Sequence, residues 1–421
     1  MSEAPFTPLV QLWQGISMQV RATLAAAITL VAGCATTATG ALVPPTANLV
    51  EAARSRAEAA APAIEALRAG SFADARRRSE EILARDNGQP EAHFVRAVAR
   101  YRARIDQLGL DLRTLFVGAM ATGRINTSFA RQTLESTASE LSATDADLEA
   151  ASAAPYFEVE LCPACWETDW NQSGEVDERD RHLLEVELDH AGRPLLEGDP
   201  RRRPSFAFDR GDLFWARAML SHQRAIVDLL LAYEPQDWMA LTRGRGELAF
   251  RVADRGRVLG AKRGVLAGLA LAERARQEYQ AEIDDHAEWV PNPRQQDHAV
   301  PLSVDQALYA KWGAVLEDLR RLVEGEEGID LQELARLAGV DPRHVPVGFL
   351  DVGRWFRDPV DFVLPLSKGD NDADALRRAL GSSWRAAMPP SALPSRIAEL
   401  KSGISVEEIL HQKLKYILWL N

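Results

Sequence analysis

The spacing of apolar residues changes character several times along this chain. Ala22 to Val31 is apolar on every side, Thr23 and Thr29 apart. From Leu49 to Tyr101 apolar and small residues recur at helical steps, interrupted by Gly70 and again by Asp86-Asn87-Gly88. Helices are predicted to continue over Ile105–Met120 and Ser128–Ala151, the second capped by Asn126 or Thr127. The period then shortens to two: Tyr156 to Leu161 alternates and reads as a short strand, with Pro204–Phe208 as its partner. Asp212–Tyr233 returns to helix, with Leu213, Ala216, Leu220, Ile226, Leu229 and Leu230 on an apolar face. Gly246–Ile283 reads as mostly helical, and its glycines at 256, 260, 264 and 268 allow close helix packing. Trp289–Pro301 is a proline-broken loop, and Val304–Glu324 and Leu331–Leu337 are helical. Val406–Leu420 closes the chain as an amphipathic helix, better suited to docking on a core than to touching lipid. The predicted fold class is mainly α, with one small β element.

The first apolar run is too short to span a bilayer, which takes ~20 apolar residues. It follows Arg21 and ends in Leu30-Val31-Ala32-Gly33-Cys34, small residues before a cysteine. A basic start, a short apolar core and small residues describe an export signal. The ending resembles the lipobox of bacterial lipoproteins. That resemblance implies a signal peptide over 1–33, cleavage before Cys34, and covalent lipid on Cys34. It also implies that Ala35, where an Asp would retain the protein at the inner membrane, directs it to the periplasmic face of the outer membrane. Residues 1–17 carry Glu3 and no basic residue, so a start at Met18 gives a more compact signal. Residues 34–48, small and polar with Pro44-Pro45, form a flexible tether.

Ile64, Leu67, Gly70, Phe72, Ala75 and Leu83, followed by Pro90, Glu91, Ala92 and Tyr101, resemble a tetratricopeptide repeat. About one and a half repeats are legible, and Asn87 stands where a proline is usual. A generic helical hairpin fits the same residues. Solenoids of this kind need about three repeats for stability, so the hairpin is expected to pack on the rest of the chain.

One constellation carries chemistry. Asp169, Asn171, Ser173, Gly174, Glu175, Val176, Asp177 and Asp180 resemble the twelve-residue calcium loop of EF-hands, and more closely that of dockerins, which often ends in Asp. The resemblance makes Asp169, Asn171 and Ser173 oxygen donors at positions 1, 3 and 5, with Gly174 permitting the sharp turn. Glu175 gives its backbone carbonyl, Val176 anchors the loop, Asp177 contributes directly or through water, and Asp180 closes the shell. Glu178–Leu188 is then the exiting helix. The entering segment departs from the pattern, being a strand with a cysteine pair. An Asx-type turn with a helix cap at Asp177 is the alternative. The ion expected is a structural Ca2+.

Composition sets bounds. The 421 residues carry 49 Lys and Arg against 61 Asp and Glu, a net charge of −12, which argues against nucleic acid. With Cys34 lipidated, Cys162 and Cys165 remain as an even pair in an oxidising compartment, the candidate for a local disulfide. Half a zinc site or a redox pair stay open for the same spacing. Asp370, Asp372 and Asp374 read as a helix cap, and Asp284, Asp285, His286, Asp297 and His298 as a solvated loop rather than a metal site. Arg243, Arg245, Arg251, Arg255 and Arg257 read as a solvated face paired with acids. The expected organisation is a tetratricopeptide-like region over 49–155, a β element with the calcium loop over 156–210, a helical domain over 211–338 and a mixed segment over 339–421. No nucleophile elbow, P-loop, HExxH or dinucleotide fingerprint occurs. The expectation is no enzyme but a lipid-anchored helical scaffold facing protein partners, held at the membrane by its lipid. The alternative is a binding component of a small-molecule transporter, which a deep apolar pocket would favour.

Overall fold

The computed structural model describes residues 47–402 apart from 168, 170–173, 178–179, 182–183, 190, 236–246, 283–286, 296–297, 300–303, 338–340, 366–376 and 378–379. The protein is mainly α, with small strands. In chain order the helices and first strands are α1 (Ala47–Arg68), α2 (Phe72–Leu83), α3 (Pro90–Thr122), α4 (Thr127–Ser152), β1 (Glu158–Leu161), β2 (Phe206–Asp209), α5 (Arg210–Ala232), β3 (Tyr233–Pro235), β4 (Glu247–Val252) and α6 (Arg255–Ala281). They continue with α7 (Gln306–Glu324), β5 (Ile329–Asp330), α8 (Leu331–Leu337), β6 (Phe349–Leu350), α9 (Val352–Arg357), β7 (Phe362–Pro365), β8 (Trp384–Arg385) and α10 (Leu393–Ser402). Three antiparallel sheets form: β1-β2, β3-β4-β7 and β5-β6-β8.

The center of the fold is α5, and its sequence explains why. Leu213, Leu220 and Val227 recur every seven residues on one face, and Ala218, Ala225 and Ala232 recur at the same interval on another. The larger side chains join a core with α1–α4 and β1. The alanines face α6, α7 and the C-terminal elements. Small residues there meet small residues on α6: a Cβ on Gly264 would lie 3.3 Å from Ala225 Cβ, and one on Gly268 only 3.1 Å from the Ala218 carbonyl. The glycine spacing therefore serves close helix contact at 264 and 268. Gly260 faces nothing nearer than 3.8 Å. A third core sits where β2, the end of α6, the start of α7 and Trp289–Val290 meet.

At the N-terminal end α1 and α2 form a hairpin that turns at Gly70, whose φ of +68° is open to glycine at little cost. Trp166 covers that turn, stacking edge-on against Phe72 at 5.2 Å and donating from Nε1 to the Leu67 carbonyl at 2.8 Å. The next helix, α3, runs 33 residues without a break. That single helix is as long as a whole tetratricopeptide repeat, so the helix pair after Pro90 is far longer than a hairpin of repeat size. Gly123 ends α3 in the left-handed region, and Asn126 caps α4 by accepting from the Phe129 N–H at 3.1 Å.

The β element lies where the alternating pattern placed it, with Glu158 opposite Asp209 and Leu161 opposite Phe206. Two expectations need correction. Glu247–Val252 is a strand rather than the start of a helix, because Phe250 and Val252 pack toward the core while Arg251 is exposed. The helix leaving the acidic loop does not run to Leu188. Only Asp180 and Arg181 are helical among the described residues there, and Leu188 bridges to Pro194. Glu185 is drawn to Arg202 at 2.6 Å and Arg203 at 2.9 Å, and the Val186 N–H donates to the Arg202 carbonyl, which diverts the backbone. Residues 34–46 of the tether with Cys34, the Asp370–Asp374 cap, Asp284–His286, Asp297, Arg243, Arg245 and the Val406–Leu420 helix lie outside the described residues, while Ala47 and Asn48 already belong to α1.

Candidate functional site

Two groups of carboxylates flank the β1–β2 sheet. The first is the loop singled out by the sequence. Asp169 accepts the Gly174 N–H through Oδ2 at 2.7 Å, folding the loop back on its first acid. Gly174 takes a φ of +98° with open space around it, so the backbone and not crowding calls for glycine. Asp177 and Asp180 cap one another: the Asp177 N–H donates to Asp180 Oδ2 at 3.0 Å, and the Asp180 N–H to Asp177 Oδ1 at 3.3 Å. Asp180 is buried and Glu175 is exposed. Asn171 and Ser173 lie outside the described residues. The donor set is all oxygen and suits a hard cation. The oxygens of Asp169, Asp177 and Asp180 are not gathered into one group of three. Cys162 and Cys165, just upstream, are joined as a disulfide.

The second group was not singled out by sequence reasoning. Asp209 ends β2 and caps α5: its Oδ1 accepts the Asp212 N–H at 3.1 Å, and Asp212 Oδ2 accepts the Asp209 N–H at 3.0 Å. Asp212 is buried, and its Oδ1 accepts the Tyr279 hydroxyl of α6 at 2.9 Å. Gly211 makes room for that ring, since a Cβ would stand 2.5 Å from it. Glu282 closes the last turn of α6, its N–H donating to the Glu278 carbonyl. Glu288, also buried, is brought in by the following segment. There the Ala207 N–H donates to the Ala287 carbonyl at 3.0 Å, and Trp289 packs on Phe206 at 4.8 Å and Phe208 at 5.5 Å.

Asp209, Glu282 and Glu288 thus place carboxylate oxygens within 4.8 Å of one another, a spacing that suits a shared proton or a small cation. Two unit charges this close repel by roughly 3–4 kcal/mol at an effective dielectric constant near 20. Both oxygens of Glu282 are sealed from solvent and accept no hydrogen bond from a described donor. Burial pushes the Glu282 carboxyl far up, and the Asp209 charge adds to it. Burial likewise raises Asp209, and raises Asp212 well above the usual carboxylate range with help from Asp209. Tyr279 is pushed up by burial and then by the same acids. The sequence signal available was Asp209-x-x-Asp212 at a strand–helix junction, a capping pattern that conceals its proximity to a second helix end.

No protein-family model, curated protein or solved structure matches the chain.

Proposed function

We propose that this protein is a lipid-anchored helical scaffold on the periplasmic face of the outer membrane, presenting a surface to protein partners and using Ca2+ as a structural staple. The observation that carries the scaffold reading is the second half of α3. Leu112 is 55% exposed and Met120 61%, and with the half-buried Phe116 they follow at four-residue steps along one helix face; Leu110 and Val117 add to the apolar surface. Contiguous apolar surface of this kind marks interaction sites. The depression beside the acidic loop, lined by Trp166, Val176, Leu184 and Arg203, encloses only about 10 Å3, against roughly 300–1,000 Å3 for small-molecule pockets, which supports a surface role over deep enclosure of a small molecule.

The calcium reading is supported by the closed turn from Asp169 to Gly174. Asp169, Asn171, Ser173, Asp177 and Asp180 would hold the ion with side-chain oxygens and Glu175 with its carbonyl, and the ion would neutralise the acids and brace the segment after β1. The lipid anchor rests on Cys34 and the residues before it.

The test is thermal unfolding of the full chain in detergent, with calcium and with chelator. A ligand that binds only the folded state stabilises by RT ln(1+[L]/Kd). A saturable rise in melting temperature that Asp169→Ala abolishes supports the staple; equal loss for that variant in both conditions makes Asp169 a cap. Separately, cross-linking from cysteines placed at Leu112 and Met120 in the envelope should capture a discrete partner. Labelled fatty acid should enter the chain and be lost in Cys34→Ala.

A further inference from the structure

The disulfide between Cys162 and Cys165 sits in the turn that leaves β1. Pro163 and Ala164, the two residues it encloses, are buried, whereas Cys165 is exposed and Cys162 half-buried. The buried pair anchors the turn from within and leaves Cys165 open to solvent. The Cys165 N–H donates to the Cys162 carbonyl at 2.9 Å, and the Trp166 N–H to the Pro163 carbonyl at 3.2 Å. The turn is thus closed by its own backbone, and the two sulfurs stay within reach of each other whether or not they are bonded. A crosslink over so few residues removes little freedom from the unfolded chain. An exposed one is open to attack by a thiolate.

The two sulfurs are not equivalent. Cys162 Sγ lies 3.5 Å from the Arg203 carbonyl oxygen. The Arg203 guanidinium is taken by Glu185 at 2.9 Å, so it is the carbonyl that Cys162 meets. Once released as a thiol, Cys162 can donate its S–H to that oxygen. Beside the pair lies the depression lined by Ala164, Trp166, Val176, Leu184 and Arg203. Too small to enclose a molecule, it offers an apolar rest for the chain on either side of an incoming cysteine.

We propose that Cys162–Cys165 is a thiol–disulfide exchange site that oxidises a dithiol of a protein partner. The partner's thiolate attacks Cys165 Sγ and forms a mixed disulfide with it. The Cys162–Cys165 bond breaks, and its electron pair leaves on Cys162 Sγ, which takes a proton from water and donates it to the Arg203 carbonyl. The partner's second thiolate then attacks the partner sulfur of the mixed disulfide, and Cys165 leaves as a thiolate and is protonated in turn. Two electrons pass from the partner to this pair, and the two protons the partner releases to water balance the two taken up. Exchange at this site rests on neither the lipid anchor nor the calcium loop.

The test mixes the oxidised full chain, in detergent and without air, with a reduced two-cysteine peptide of unstructured sequence. Peptide disulfide should form, up to one for each chain, as thiols appear at Cys162 and Cys165. Alkylation and peptide mass assign each thiol, so that Cys34 is counted apart. Access and leaving group set such rates, and the reaction should run about tenfold faster than that of glutathione disulfide at the same concentration. Single variants then assign the attacked sulfur. Exposed to glutathione disulfide, Cys162→Ser, which keeps Cys165, should take up glutathione several-fold faster than Cys165→Ser. A wild-type pair that stays oxidised, or reacts no faster than glutathione disulfide, is a structural crosslink and overturns the proposal. Uptake that is equal in the two variants, or faster at Cys162, overturns it as well. The wild-type reaction decides alone if either variant folds poorly.

Discussion

A Cβ on Gly268 would stand 2.7 Å from Nε2 of His222, and the Ala218 carbonyl closes the other side at 3.1 Å. The two helices α5 and α6 meet here as closely as their backbones permit. Gly268→Ala should destabilise by about 1–3 kcal/mol, since overpacking outweighs the ~1 kcal/mol that alanine gains over glycine in a helix. Gly260→Ala, with nothing nearer than 3.8 Å, should be neutral or slightly stabilising. Urea midpoints of the two variants decide it; equal effects would mean the contact yields freely.

His222 itself is buried at this contact, and burial pushes its imidazole down to about 4, against a smaller opposing effect of the Val265 backbone. Its folded form resists a proton that the unfolded chain accepts near pH 6.5. Stability should then fall as pH drops from about 6.5 to about 4, by on the order of 3 kcal/mol at most. His222→Leu should remove that portion of the slope, whatever constant packing cost it adds. Chemical denaturation at pH 7 and pH 4.5 measures the difference.

Asp147 is 4% exposed and is held by two cations, Arg96 and Arg100 at 3.7 Å, and by the His93 imidazole at 3.2 Å. Burial raises its carboxyl, but hydrogen bonds from His93 and Arg96 overcome that and hold it below the usual range. Removing one partner of a buried ion pair typically costs 3–5 kcal/mol. Asp147→Ala should lose about that much at pH 7. Its stability should also decline less on acidification than the wild type's, because the lowered group yields its contribution as pH falls through its folded pKa.

The Cys162–Cys165 disulfide encloses a very short stretch directly before Trp166. Closing so small a loop constrains the unfolded chain by only about 2 kcal/mol. The larger expected effect is local. Reduction, or Cys162→Ser with Cys165→Ser, should loosen Trp166 from Phe72 and from the Leu67 carbonyl. Exchange at the α1–α2 turn should rise, and a Trp166→Phe background should show no further fluorescence change on reduction.

Much of the helical frame was legible because period, cap and turn agreed. Asn126 before α4, Gly123 after α3 and the alternation of Phe157, Val159 and Leu161 each state one local fact. The acidic loop was legible for the same reason, its twelve residues being contiguous. The Asp209–Glu282–Glu288 cluster was not, since Asp209 precedes the two glutamates by more than seventy residues and each alone reads as a cap or a surface acid. The sheets β3-β4-β7 and β5-β6-β8 were missed as well. Their strands span two to six residues, too few for a period to register, and their pairing depends on long-range closure.

The unbroken length of α3 has a mechanical reading. At 1.5 Å per residue its 33 residues cover about 50 Å. Its first turns, from Pro90 to Arg104, are sunk in the hairpin core, while beyond them Ala119 is the one buried residue. With α4 alongside, joined through Thr133 and Asp111, it makes a two-helix boom whose tip carries the bare aliphatic residues. A boom fixes both stand-off and azimuth. Deleting seven matched residues from each helix would retract the tip by about 10 Å with little rotation, whereas deleting two would turn its apolar face by about 200°. Reach and facing are thus separately adjustable in this molecule, and a partner that engages the tip would sense the two changes differently.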